Sequence, residues 1–146
     1  MKAFRFRLQR VLELRETEAK TEEAALERLL SQRAQMIAER DALVVSYERA
    51  TTSIRDQQYV NPSDLIMVDR YKDNVKRQLQ RWAEKIKAHD AEVDKQKGRV
   101  VTARGRVKLM EKLREKSQQE WQHAADRELE ELAADFSASQ WLRANR

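Results

Sequence analysis

Apolar residues in the second half of the chain recur in alternating steps of four and three, and this spacing restricts the fold more than any other feature of the sequence. Steps that average 3.5 residues keep one stripe of side chains on one face of an α-helix. The stripe can face a partner helix along its length only if the pair supercoils with a left hand. Its residues are Val75, Leu79, Trp82, Ile86, His89, Val93, Gln96, Val100, Ala103, Val107, Met110, Arg114, Ser117, Trp121 and Ala124.

Turn-forming residues are too scarce for a β-rich or mixed fold. The 146 residues include only two glycines, Gly98 and Gly105, and one proline, Pro62, whereas a β-rich chain needs turn residues about every ten positions. Charged residues make up 38% of the chain, but the net charge is only +5 and the apolar residues, 40%, are regularly spaced. That combination argues against disorder and favours long helices, which Glu, Lys, Arg, Gln, Ala and Leu tolerate well.

The first half of the chain carries a wider and less regular apolar stripe. Arg33 and Arg40 interrupt it, and we expect their methylene groups to lie on apolar surface while the guanidinium groups stay in water. The stripe consists of Leu8, Val11, Leu12, Ala19, Leu26, Leu29, Leu30, Met36, Ile37, Leu43, Val44, Tyr47 and Ile54. A helix with this face can pair with the helix of the second half.

Only residues 57–64, Gln-Gln-Tyr-Val-Asn-Pro-Ser-Asp, have the composition of a turn. Asn61 suits the N-cap of a helix and Pro62 its first position, while Asp64 falls at the third position, where free N–H groups favour a carboxylate. The sequence therefore predicts helix one over about 4–57, a corner at about 58–61 and helix two over about 62–140.

A connection this short predicts an all-α fold in which the two long helices form an antiparallel left-handed coiled-coil hairpin. Residues 1–146 would then form a single domain. Pairing outward from the corner places Phe4 opposite about Lys116, so helix two extends about 20 residues, roughly 30 Å, beyond helix one. The extension carries apolar side chains without a partner in this chain, namely Trp121, Leu129, Leu132, Phe136 and Trp141.

No combination of residues indicates catalysis, and we predict no enzyme activity, no cofactor and no metal site. The chain lacks cysteine and a glycine-rich phosphate loop, and His89 and His123 do not have the spacing of metal ligands. His89 lies on the apolar stripe, where a hydrogen-bonded structural role is expected.

The charge pattern and the absence of long apolar runs restrict the partners and the location. Basic residues cluster near the start of the chain but alternate with acidic residues further along, so nucleic-acid binding is not expected. No run of about 18 apolar residues occurs, which predicts that nothing spans a membrane. Together with the lack of cysteine, this predicts a cytoplasmic protein.

The two ends of the chain resemble a known family. The opening segment, Phe4-Arg-Phe-Arg-Leu-Gln-Arg-Val-Leu-Glu-Leu-Arg15, is similar to the F-x-F-x-L-Q-x-V-L-x-L-R segment with which members of the flagellar FliJ family begin. Residues 106–116 and 128–133 resemble the charged C-terminal half of that family. The resemblance covers essentially the whole chain.

This resemblance implies a component of the bacterial flagellar type III export apparatus. Members of the family resemble the coiled-coil part of the rotary ATP synthase gamma subunit and act as a stalk in the hexameric export ATPase ring. They also contact the cytoplasmic domain of the export gate and bind export chaperones. The implied location is peripheral, at the cytoplasmic side of the inner membrane, through the export apparatus alone.

The resemblance also implies two sets of binding residues. The open end of the hairpin is expected to bind the ATPase ring through Phe4, Arg5, Phe6, Arg7, Leu8, Arg10, Trp121, Leu129, Leu132 and Phe136. Residues toward the corner are expected to contact the export gate, namely Leu43, Tyr47, Tyr71, Val75, Gln78 and Trp82. Val75 and Trp82 also lie on the apolar stripe, where a core position is the alternative to a contact.

Two other functions stay open at the level of sequence. The first is the equivalent stalk of a virulence-type secretion system, which has the same architecture. The second is a generic coiled-coil scaffold that dimerises through the extension of helix two.

Overall fold

A computed structural model describes residues 3–144, and this part of the chain contains two long helices and no strand. Helix α1 spans Gln9–Arg55 and helix α2 spans Pro62–Ala144. Stretches of the two helices pack against each other, so the all-α prediction is confirmed. The single domain over 1–146 stays a prediction, and it includes residues 1, 2, 145 and 146, which lie outside the described part.

The start of α2 follows the predicted turn chemistry. The carbonyl oxygen of Asn61 accepts hydrogen bonds from the backbone N–H groups of Asp64, at 2.9 Å, and Leu65, at 3.4 Å. Pro62 is the first helical residue, and Asp64 is the acidic residue of the first turn. The carboxylate therefore lies at the positive end of the helix dipole.

Helix α1 is shorter at both ends than predicted, beginning at Gln9 instead of residue 4 and ending at Arg55 instead of residue 57. Before it, a single turn is closed by the Gln9 N–H and the Phe6 carbonyl oxygen at 3.2 Å. The first turn of α1 contains no acidic residue, and Arg5, Arg7 and Arg10 surround it. Positive charge at the positive end of the dipole disfavours the additional turn.

The chain divides into two compact units. The central unit consists of residues 21–101, and the terminal unit combines residues 3–20 with residues 102–144 of the described part. In the central unit the most buried apolar residues are Val75, Val93 and Val100 of α2, all predicted from the stripe. In the terminal unit Leu12, at 2% exposure, is the most buried side chain, with Ala19 and Ala103 next.

Polar side chains also join the two helices within the central unit. Gln96, buried on the stripe, donates from Nε2 to the Glu22 carbonyl oxygen at 2.9 Å and to the Glu22 carboxylate. His89 donates from Nε2 to the Leu29 carbonyl oxygen at 2.7 Å. The hydrogen-bonded role predicted for His89 is therefore present, and the buried amide of Gln96 is satisfied.

Arg33 makes an ion pair between the two helices, because its Nε donates to Asp90 Oδ1 at 2.5 Å. This hydrogen bond, assisted by the charge of the guanidinium, holds the pKa of Asp90 below its ordinary value and raises the pKa of Arg33. Both side chains stay about 40% exposed, so the pair adds orientation more than stability.

Some predicted stripe positions are exposed. Leu8, Val11 and Leu30 are exposed on α1 or just before it. On α2 Arg114 and Ala124 are exposed, while Ala125 is half-buried. The stripe therefore leaves its seven-residue spacing after Trp121.

We predict that Gly98→Ala and Gly105→Ala each raise the free energy of unfolding by about 0.5–1 kcal/mol, because alanine restricts the unfolded chain and favours the helix. Both glycines are exposed inside α2 without positive φ, and an added Cβ would meet nothing within 4 Å. Urea titrations measure the effect, with Ala83→Gly at an exposed α2 position as the control of opposite sign. Destabilisation by either alanine would mean that the glycine is required for packing.

Candidate functional surfaces

The terminal unit brings the N-terminal segment against α2. The rings of Phe4 and Trp121 lie 6.0 Å apart between centroids at an interplanar angle of 57°, and both side chains are half-buried. Phe6, Arg7 and Leu8 line a surface groove of about 460 Å³ whose other residues are Leu113, Lys116, Ser117 and Glu120 of α2. We call Phe4, Phe6, Leu8 and Trp121 the terminal cluster.

The other residues predicted for this end are placed differently. Arg5, Arg7 and Arg10 are exposed beside the terminal cluster, where they can meet a partner. Leu129, Leu132 and Phe136 are each at least 60% exposed. The predicted ring-binding set is therefore divided between the terminal cluster and a later, exposed stretch of α2.

The central unit brings together two tyrosines from the other predicted set. The rings of Tyr47 on α1 and Tyr71 on α2 lie 5.9 Å apart at an interplanar angle of 37°. Both are half-buried, as is Leu43 on α1. Each tyrosine therefore keeps part of its ring accessible. We call Leu43, Tyr47 and Tyr71 the tyrosine cluster.

The remaining residues of this set differ in accessibility. Val75 is only 3% exposed, which fits the core alternative stated for it. Gln78 is half-buried and its Nε2 lies 3.4 Å from Asn74 Oδ1 on the same helix. Trp82 is half-buried, with Lys85 Nζ 5.0 Å from the ring centroid, a cation–π arrangement.

An exposed apolar run at the start of α2 was not predicted from the sequence. Leu65, Ile66 and Met67 are all more than half exposed. Met67 and Tyr71 line an apolar groove of about 450 Å³ together with Ala50, Thr51, Ile54, Gln57, Asp64 and Val68. Four consecutive apolar residues, 65–68, were the available signal, because a helix can turn only part of such a run toward its partner.

Reaction chemistry is not indicated by the described side chains. Among residues 3–144 no group of three or more His, Asp or Glu side chains could hold a metal ion. Within the same residues neither helix has an apolar stretch long enough to cross a membrane. The features that stand out are apolar and aromatic groups exposed on paired helices.

Long paired helices with exposed apolar surfaces are typical of proteins that act by binding other proteins. A family model described as flagellar FliJ protein matches residues 4–146. The chain belongs to the FliJ family, as its two ends predicted. It is therefore a component of flagellar type III protein export, and the family is a non-catalytic one. Searches of curated proteins and of solved structures gave no significant match.

Proposed function

We propose that this chain is the stalk of the flagellar export ATPase ring and links the ring to the cytoplasmic domain of the export gate and to export chaperones. The proposal makes the protein peripheral at the cytoplasmic side of the inner membrane, where it is held by the export apparatus. Family membership supports a role in the apparatus, and the particular partners are those that the resemblance to the family implies.

The proposed stalk is an antiparallel left-handed coiled coil. Contacts in the central unit support the antiparallel direction, because partner numbers on α2 fall as those on α1 rise: Glu22 contacts Gln96, Leu29 contacts His89, and Tyr47 contacts Tyr71. The steps of four and three between the buried residues Val93, Gln96, Val100 and Ala103 support the left-handed supercoil.

The observation that carries the proposal is that each unit exposes its own aromatic surface. The terminal cluster, with three exposed arginines nearby, suits the ATPase ring, and the tyrosine cluster suits the export gate. Aromatic residues and arginine are the types in which binding energy is concentrated at interfaces. An effect on ATP hydrolysis would come from unequal binding to the different conformations of the ring subunits.

Two sets of substitutions should separate the two partners. We expect reversal of charge at Arg5, Arg7 and Arg10 to weaken binding to the cognate ATPase hexamer at least about tenfold, since loss of charge complementarity costs affinity and association rate. Binding to the gate domain should stay unchanged. Tyr47→Ala with Tyr71→Ala should weaken binding to the gate domain and leave binding to the ATPase hexamer unchanged. Both affinities can be measured by binding the purified variants to immobilised ATPase hexamer or immobilised gate domain.

A matched triple variant controls for net charge. Arg28, Arg49 and Arg70 are exposed residues of the central unit, and reversing them changes the total charge equally. If this control weakens ATPase binding as much as the N-terminal triple, the effect is one of overall charge and the ring assignment is wrong. Unfolding curves of all variants check that the helices remain intact.

A further inference from the structure

One face of α2 continues the paired stripe beyond the terminal cluster. After Trp121 this face carries the apolar residues Ala125, Leu129, Leu132 and Phe136, in steps of four, four, three and four. Their spacing is helical, so they share one face. Every residue from 126 to 144 is exposed in the described part of the chain. The same helix face that packs against α1 earlier is thus open here.

Acidic side chains border this open face. Helical spacing puts Asp126 along one edge, and Glu128 and Asp135 along the other. Glu130 and Glu131 lie further round the helix. Residues 126–144 contain five acidic residues against two arginines, although the whole chain has a net charge of +5. The local charge is therefore opposite in sign to that of the whole protein.

We propose that this surface binds a basic amphipathic α-helix of a partner protein. We call it the acidic stripe, and it consists of Asp126, Glu128, Leu129, Leu132, Asp135 and Phe136. Continuity with the face that already packs against α1 indicates a helical occupant, since the same ridge of side chains is presented. Residues at the edges of a helix pair choose the partner by charge, so lysine or arginine is required opposite these acids.

A second copy of this chain fits the acidic stripe poorly. Two stripes packed together would bring edge carboxylates close to edge carboxylates, and like charges at these positions are unfavourable. The inference deepens the proposed function and rests on it for one point only, which is that the basic helix belongs to the export ATPase.

Two designed peptides of about three heptads test the chemistry without the ATPase. Both carry leucine at the seam positions, and they differ only in having lysine or glutamate at the edges. We expect the full-length protein to bind the lysine peptide at least about tenfold more tightly than the glutamate peptide. Glu128→Lys with Asp135→Lys should reverse this preference. Fluorescence anisotropy of labelled peptides measures both affinities.

Control variants distinguish the stripe from general electrostatic attraction. Glu130→Lys with Glu131→Lys makes the same charge change away from the edges and should keep the preference. Leu132→Gln with Phe136→Gln should lose both peptides. The inference is overturned if the substitutions at Leu132 and Phe136 leave the affinity for the lysine peptide unchanged, or if the edge variant keeps the preference for the lysine peptide. It is also overturned if the protein sediments as a dimer whose association depends on the acidic stripe.

The outcomes separate this inference from the proposed function. If the wild-type protein binds the ATPase hexamer but shows no preference between the peptides, the acidic stripe is not a site for a basic helix and ring docking stands. If the preference is present but the hexamer does not bind, the ring assignment fails and the acidic stripe stands.

Discussion

Val100→Asp should lower the free energy of unfolding by about 3–5 kcal/mol, since it places an unpaired charge inside the helix pair. Val100 is only 5% exposed and lies on the buried stripe of α2 within the central unit. Its neighbour Val101 is 71% exposed. Val101→Asp puts the same side chain in water one residue away and should change the stability by less than about 1 kcal/mol. Urea titrations followed by circular dichroism measure both variants.

This pair of variants separates burial from helix propensity. Aspartate replaces valine in the middle of α2 in both cases, so the intrinsic cost to the helix is matched. A large loss of stability in both would mean that propensity or general charge controls the fold. A small loss in both would mean that α1 and α2 do not pack at Val100.

We expect the unmodified protein to be a monomer, and replacing residues 57–63 by an alanine-rich segment should convert it into a dimer. Asn61 immediately precedes α2 and Pro62 is its first residue, whereas alanine would allow α1 to continue into α2. The buried stripes would then lose their partner within the chain and associate with a second chain, as coiled-coil stripes do. Sedimentation equilibrium should report twice the molecular mass of the unmodified protein.

A glycine- and serine-rich replacement of the same seven residues is the matched control. It removes the same side chains but leaves the chain free to turn, so this variant should remain a monomer. If the alanine-rich variant also remains a monomer with unchanged stability, packing alone makes the chain turn. The turn chemistry at Asn61 and Pro62 would then be dispensable.

Much of α2 could be predicted because its stripe is regular. Val75, Val93 and Val100 are buried where the steps of four and three place them. Gln96 follows the same spacing, but its burial depends on a hydrogen bond from its own side-chain amide to Glu22, which lies 74 residues earlier in the chain. Spacing within one helix predicts the face of a residue, whereas the partner across the helix pair depends on register, which spacing alone does not supply.

The ends of the pairing were harder to predict for two physical reasons. The periodicity of residues 4–8 suggested helix, but dipole electrostatics near Arg5, Arg7 and Arg10 outweigh it and α1 begins at Gln9. After Trp121 the stripe no longer follows the seven-residue spacing, since residues 121, 125, 129 and 132 follow steps of four, four and three. The seven-residue spacing therefore predicted a place on the paired stripe for Ala124, which is exposed.

The sequence specifies the two predicted binding sets only as residue types at positions along the chain, and both sets stay predictions. The family resemblance implied Tyr47 and Tyr71, and the structure places their rings 5.9 Å apart. The exposed run Leu65–Met67 was missed because a search for periodic stripes ignores apolar residues that lie outside the period. The exposure of a side chain depends on how the two helices pack, so it cannot be assigned from the spacing within one helix.

The distance between spin labels at residues 28 and 91 tests the pairing of α1 and α2 most directly. Arg28 and Ala91 are exposed, and the chain has no cysteine of its own, so Arg28→Cys with Ala91→Cys allows specific labelling. Helices that pair within one chain lie about 8–10 Å apart, and the labels should be less than about 35 Å apart when labelled protein is diluted with unlabelled protein. One continuous helix would separate them by roughly 95 Å, and a distance near that value would contradict the pairing and the stalk.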